Sequence, residues 1–176
     1  MGYSATMASV LSAPPVIFSV LLSMLASWVS DRYRIRSPLI ILGAIVTIVG
    51  IMLVAFHPSH AVQYVGLFVG YAGCLSNVPS ILAYQCNNIR SQSKRSVGSA
   101  LQVGFATIGG ILASTVFRQQ DAPRYIPGMW TSAVLQVFII FGMVITSIHF
   151  KRRNKQVENG TVKKPIEGLV GFKYTV

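Results

Sequence analysis

The sequence predicts an all-α membrane protein with about five transmembrane helices, and three observations carry that prediction. No Asp, Glu, Lys or Arg occurs at residues 1–30 or 37–89, whereas a water-facing helix needs a polar face. Charged residues make up 11% of the chain and apolar residues 52%, against roughly 25% charged in a soluble domain. The basic residues fall in short clusters between the apolar runs, not along them.

A hydrocarbon core of about 30 Å takes roughly 20 apolar residues at 1.5 Å rise each. Five stretches meet that requirement, at residues 8–29, 38–56, 62–84, 97–117 and 129–150. At membrane depth the backbone must satisfy itself, so these are helices. Strands of a barrel would alternate polar and apolar residues, and these runs do not.

Before the first run the positive segment of a signal peptide is missing. Met1-Gly2-Tyr3-Ser4-Ala5-Thr6 fits the myristoylation pattern, but the orientation derived below puts it away from the cytosol. Ser37-Pro38 opens the second run and His57-Pro58 separates it from the third. The third run holds both cysteines, Cys74 and Cys86, with no C-x-x-C and no histidine at ligand spacing. They read as small packing residues, and no metal or cofactor is expected. The fourth run is uncharged, and Pro127-Gly128 leads into the fifth. The basic tail, residues 151–176, is expected to be mostly disordered.

Orientation follows from the Lys and Arg census, because cytoplasmic flanks carry the excess. Thirteen of the 15 lie on one side: Arg32, Arg34 and Arg36 after the first run, Arg90, Lys94 and Arg95 after the third, and seven from Lys151 to Lys173 after the fifth. Only Arg118 and Arg124 lie on the other. The C-terminus is therefore expected in the cytosol, which would leave the sequon Asn159-Gly160-Thr161 unmodified. The plasma membrane is the expected location, with an endomembrane as the alternative. An external N-terminus ahead of five spans points to a piece of a longer protein. The net charge of +11 reads as topogenic, since no basic stripe interleaved with aromatics marks a nucleic-acid surface.

Small residues recur at helical spacing: Gly66, Gly70 and Cys74 in the third run, and Ala106, Gly110 and Ser114 in the fourth. Such rows let helices approach closely in lipid.

The loop Ser27-Trp28-Val29-Ser30-Asp31-Arg32-Tyr33-Arg34-Ile35-Arg36 resembles the signature loop of the major facilitator superfamily, in outline G-x-x-x-D-R/K-x-G-R-R/K. Asp31, Arg32 and Arg36 match it, and Ser27 and Arg34 replace its two glycines. Further segments resemble the fungal anion:cation symporters, a group that includes allantoate, nicotinate, pantothenate and biotin permeases. They are Asn87-Asn88, Lys94 to Phe105, Ile108-Gly109-Gly110-Ile111 and Phe117 to Tyr125, with Gly2-Tyr3-Ser4-Ala5 and Leu11-Ser12-Ala13-Pro14-Pro15 upstream. The likeness implies helices eight to twelve of a twelve-helix transporter, with a missing N-terminal half as partner and the substrate held between halves near the midplane.

It also implies that the third run lines the cavity. Its polar members are Tyr64, Tyr71, Ser76, Asn77, Ser80 and Tyr84, near a helix-disturbing Pro79. Tyr71, Asn77, Tyr84 and, on the fourth run, Gln102 are the candidate substrate contacts, with Gln136 a weaker one. Each is weighed against hydrogen bonding between helices. Asp31, Arg32 and Arg36 would form a cytoplasmic gate, or a solvated topogenic loop. Arg118, Asp121 and Arg124 would steer anions outside, or order their turn.

The expected function is secondary transport of a small organic anion by alternating access, and the alternative is a truncated membrane protein that carries nothing. All four acids, Asp31, Asp121, Glu158 and Glu167, lie outside the runs, so the chain offers no proton relay. His149 reads as an interfacial anchor. An enzyme would need paired acids, a histidine cluster or an activated nucleophile at depth, and none is present. No pore loop marks a channel.

Overall fold

A computed structural model describes residues 5–33, 36–121, 125–159 and 172–175. Arg34, Arg124, Lys163, Lys164, Glu167, residues 1–4 and the last two residues of the sequon lie outside the described set. Within it five helices follow one another: α1 (Ala5–Tyr33), α2 (Ser37–Phe56), α3 (His60–Asn88), α4 (Gln92–Val116) and α5 (Ile126–Glu158), with a 3-10 turn at Gln119–Asp121. All five are long and apolar enough to cross a membrane. The protein is an integral membrane protein.

The helices outrun the apolar stretches. α5 has 33 residues, about 50 Å at 1.5 Å each, which exceeds the hydrocarbon thickness by several turns. Hydropathy marks the part of a helix that lies in lipid. The turns beyond it stay helical because their backbone bonds are internal. The described part of the tail differs from the disorder expected of it: Lys151 to Glu158 continues α5, and residues 172–175 are hydrogen-bonded to two helices.

The core is the seam between α2 and α3, the most extensive helix contact, and it is built on absent side chains. A Cβ placed on Gly50 of α2 would overlap the Gly70 backbone of α3. One on Gly73 would come within 2.5 Å of the Gly43 carbonyl and of Thr47 Oγ1. Without a hydrophobic drive between helices in lipid, such backbone approach is what brings attractive contacts into range. Ile40 and Ala44, both fully buried, sit on the same face of α2.

α1 packs on α3, and α5 packs on α2. The α1 contact has a specific cause. Pro15 has no N–H to give the Leu11 carbonyl four residues back, and Tyr64 Oη of α3 donates to that carbonyl at 3.1 Å. Ser19 Oγ donates to the Pro15 carbonyl at 2.6 Å. Phe68 receives Phe18 edge-on at 5.7 Å and Tyr64 at 5.3 Å. Between α2 and α5, Ser37 Oγ and Ser147 Oγ are 2.9 Å apart. α4 is different: it touches α3 and α5 sparingly and has no buried residue.

Candidate functional site

α1 and α2 both lean on α3 and scarcely on each other, which leaves a wedge-shaped cavity of about 430 Å³ between the three. Phe18 and Leu22 of α1, Leu42 and Val46 of α2, and Phe68 and Val69 of α3 form its walls. Its polar members are Ser76, Asn77 and Ser80 of α3. Among the described residues no cation lines it, so they can accommodate an apolar body and offer no charge to balance a carboxylate.

Asn77, 6% exposed, is engaged with α2. With its amide turned toward the Ile40 carbonyl, Nδ2 donates there at 3.3 Å and Oδ1 accepts from the Ala44 N–H at 3.1 Å. This side chain clips the seam and lies against Gly43. Ser80 Oγ donates to the Ser76 carbonyl at 2.8 Å. Ser76 Oγ is buried with no partner.

The other candidates do not gather in this cavity. Tyr71 is 37% exposed on another face of α3. Tyr84 is buried near the C-terminal end of α3, its ring 6.0 Å from that of Phe150 and its hydroxyl unpartnered. Gln102 of α4 and Gln136 of α5 each have an enclosed Oε1 with no hydrogen bond. Four of the polar groups singled out from sequence, Ser76, Tyr84, Gln102 and Gln136, thus keep free hydrogen-bonding capacity, and Asn77 does not.

At the end of the bundle where α1, α3 and α5 finish, Arg36 precedes α2 and pairs with Asp31 of α1. Its side chain is 12% exposed, and it also reaches α3: with Asn87 Oδ1 turned toward it, Nε and Nη2 donate at 2.9 and 3.2 Å. One guanidinium thereby ties three helix ends together, as its planar set of donors permits. Arg32 faces outward from the last turn of α1. Asn87 is the member that the motif reading missed. Its only sequence signal is its place in the segment resembling the symporters.

At the opposite end, Arg118 Nε donates to the Thr115 carbonyl at 3.4 Å, the Asp121 N–H to the Arg118 carbonyl at 3.1 Å, and the Tyr125 N–H to the Asp121 carbonyl at 2.9 Å. These bonds order the turn. Tyr125 pays a local strain there, at a φ of 46°.

Sequence comparison adds what geometry alone cannot. The chain is 28% identical to the high-affinity nicotinic acid transporter of Saccharomyces cerevisiae over 88% of its own length and 29% of that protein's. It is 28% identical to an MFS-type transporter of Penicillium expansum, over 89% of this chain and 31% of the other. It is 26% identical to a major facilitator-type transporter of Emericella nidulans, over 91% and 33%. These relatives are fungal transporters of the major facilitator type, and the chain is similar to them along most of its length. No family model and no solved structure matches it. The chain spans about 30% of the length of the major facilitator relatives it matches.

Proposed function

We propose that this chain forms part of a secondary transporter in the plasma membrane, moving a small organic anion by alternating access, with its C-terminus in the cytosol. The observation that carries the reading is the match of nearly the whole chain to a nicotinic acid transporter, in a chain whose described residues form five helices long and apolar enough to cross a membrane. The bare surface of α4 supports a working unit with more helices than these five. So does the absence of Lys and Arg from the spans: the counter-charge for a carboxylate would come from elsewhere in that unit.

On this reading Gln102, Ser76 and Tyr84 are the groups left to meet a substrate, and Asn77 holds the seam. Arg36, with Asp31 and Asn87, fastens the cytosolic end between transport steps, where a charge-assisted network can be made and broken. The test is a chimera in which this chain replaces the aligned stretch of the S. cerevisiae nicotinic acid transporter. Cells carrying it should accumulate radiolabelled nicotinate or another small carboxylate, and cells carrying the chain by itself should not. Uptake by the isolated chain, or a membrane-inserted chimera that takes up no carboxylate, overturns the reading. A glycosylation site engineered between His57 and His60 should be modified, and one engineered into Lys151 to Glu158 should not.

A further inference from the structure

The C-terminal residues do something the transport reading does not use. Asn88, buried at the end of α3, accepts from the Thr175 N–H at 2.8 Å and donates to the Thr175 carbonyl at 3.2 Å. Asn154 of α5 treats the preceding residue the same way, accepting from the Tyr174 N–H at 2.8 Å and donating to its carbonyl at 2.8 Å. Each carboxamide thus closes a pair with both polar groups of one residue, the satisfaction that a neighbouring strand would give.

Side chains fix the register. The Tyr174 ring stacks on Phe150 of α5 at 4.2 Å with 10° between planes. Phe172 meets Tyr174 edge-on at 5.7 Å, and Lys173 Nζ reaches Glu158 at 2.5 Å. Apart from Tyr84 against Phe150, α3 and α5 do not pack along their lengths. The tail residues are therefore their main connection at this end.

We propose that residues 172–175 are a strap tying α3 to α5, and that the stretch of α3 beyond Pro79 moves relative to α5 only when the strap lets go. Pro79 removes one backbone bond from α3, which makes the stretch from Ser80 to Asn88 the part of the helix most able to swing. Four hydrogen bonds set against the ordering of four residues leave a balance near zero, the condition for a contact that opens and closes. As a brake on transport the strap rests on the function proposed above. As a contact it does not.

Hydrogen exchange read by mass spectrometry on the full chain in lipid nanodiscs tests it. Amides 174 and 175 should exchange at least about twofold more slowly than free peptide, as a docked state populated about half the time requires. Asn154→Ala should release the Tyr174 amide and speed exchange across residues 80–88 several-fold, with an unchanged thermal midpoint. Deleting residues 172–176 should speed residues 80–88 equally, which covers the case of a variant that folds poorly. Free-peptide rates at 174 and 175 in the unaltered chain, an Asn154→Ala protein that keeps its Tyr174 protection, or a deletion that leaves residues 80–88 unchanged overturns the proposal. None of these outcomes depends on uptake by the chimera, so the two readings fail separately.

Discussion

The seam between α2 and α3 and the exposed length of α4 are made from the same material and end in opposite states. Both carry small residues at helical spacing. In the seam the glycines are consumed: Gly50 and Gly70 lie backbone against backbone, and Gly43 meets Gly73 and Asn77. On α4 an added Cβ at Gly104, Gly109 or Gly110 would meet nothing within 4 Å. A row of small residues records that a close approach is possible, and the partner decides whether it happens.

The seam also shows how such a row runs. At 100° per residue, steps of four from Gly66 drift by about 40° each, so Cys74 stands about 80° off and is exposed. A step of three from Gly70 returns to Gly73, and a step of four from there reaches Asn77, within about 20° of Gly66. The contact stripe is therefore Gly66, Gly70, Gly73 and Asn77, not the straight series read from spacing.

The widest gap between the two regions should appear on filling a glycine in each. Gly50→Leu should cost about 3 kcal/mol or more, because the branch point falls on rigid backbone, and the protein should lose its monodisperse peak in detergent size exclusion. Gly110→Leu should shift the thermal midpoint by less than the equivalent of about 0.5 kcal/mol. Equal losses at both positions would erase the distinction. A loss at Gly110 confined to the chimera would sharpen it, by showing that further helices cover α4.

How far the sequence reached follows the same division. Five lipid-crossing helices were legible because a bilayer imposes a length and excludes charge, and both are visible residue by residue. Helix ends were not, since Gln92 to Ser96 and Lys151 to Glu158 are polar turns that stay helical in water. The use of Asn77 was not legible either: a carboxamide at depth faces a substrate or a neighbouring backbone equally well by composition. Asn154 gave no signal at all and Asn88 none beyond its place in the Asn87-Asn88 segment, because a side chain pairing with a distant peptide leaves no periodic mark. Arg36 was found through its motif, while its partner Asn87 became evident only when the ends of α1 and α3 were seen together.

A smaller effect is expected at Asn77. Asn77→Leu removes both bonds to the α2 backbone, and interhelical bonds in membranes are worth about 0.6 kcal/mol on average and up to about 1.7. Thermal unfolding should fall by an amount in that range. In the chimera the KM for nicotinate should stay within about twofold, since a clip in the seam does not touch substrate. A large KM change with unaltered stability would move Asn77 from the seam to the binding site.

Arg36 and Asp31 rank below that, because Asp31 is exposed and water screens the pair. Asp31→Asn should cost less than about 1 kcal/mol. Arg36→Ala should cost more than Asp31→Asn, because the guanidinium also serves Asn87. Double substitution of Asp31 and Asn87 should approach the Arg36 value. Simple additivity of three unrelated sites would dissolve the network.

The smallest expected effect concerns the strap and returns to α4, because α3 and α5, which the strap joins, are the helices α4 touches most. Lys173 holds the Glu158 carboxyl below the usual carboxylate range, through its hydrogen bond first and its charge second. A carboxyl lowered in this way supports the docked state fully above its ordinary range, and the support is lost as pH falls through the lowered value. Protection of amides 174 and 175 should therefore be level from neutral pH downward and decline only in that acid window. Both groups stand in water, so salt should weaken the contribution at neutral pH. Glu158→Gln should remove the acid step and leave most of the protection, since the carboxamides of Asn88 and Asn154 do not titrate. If Glu158→Gln abolished protection outright, the ion pair and not the paired amides would be holding α3 to α5, and the strap would be an electrostatic contact that ionic strength alone could open.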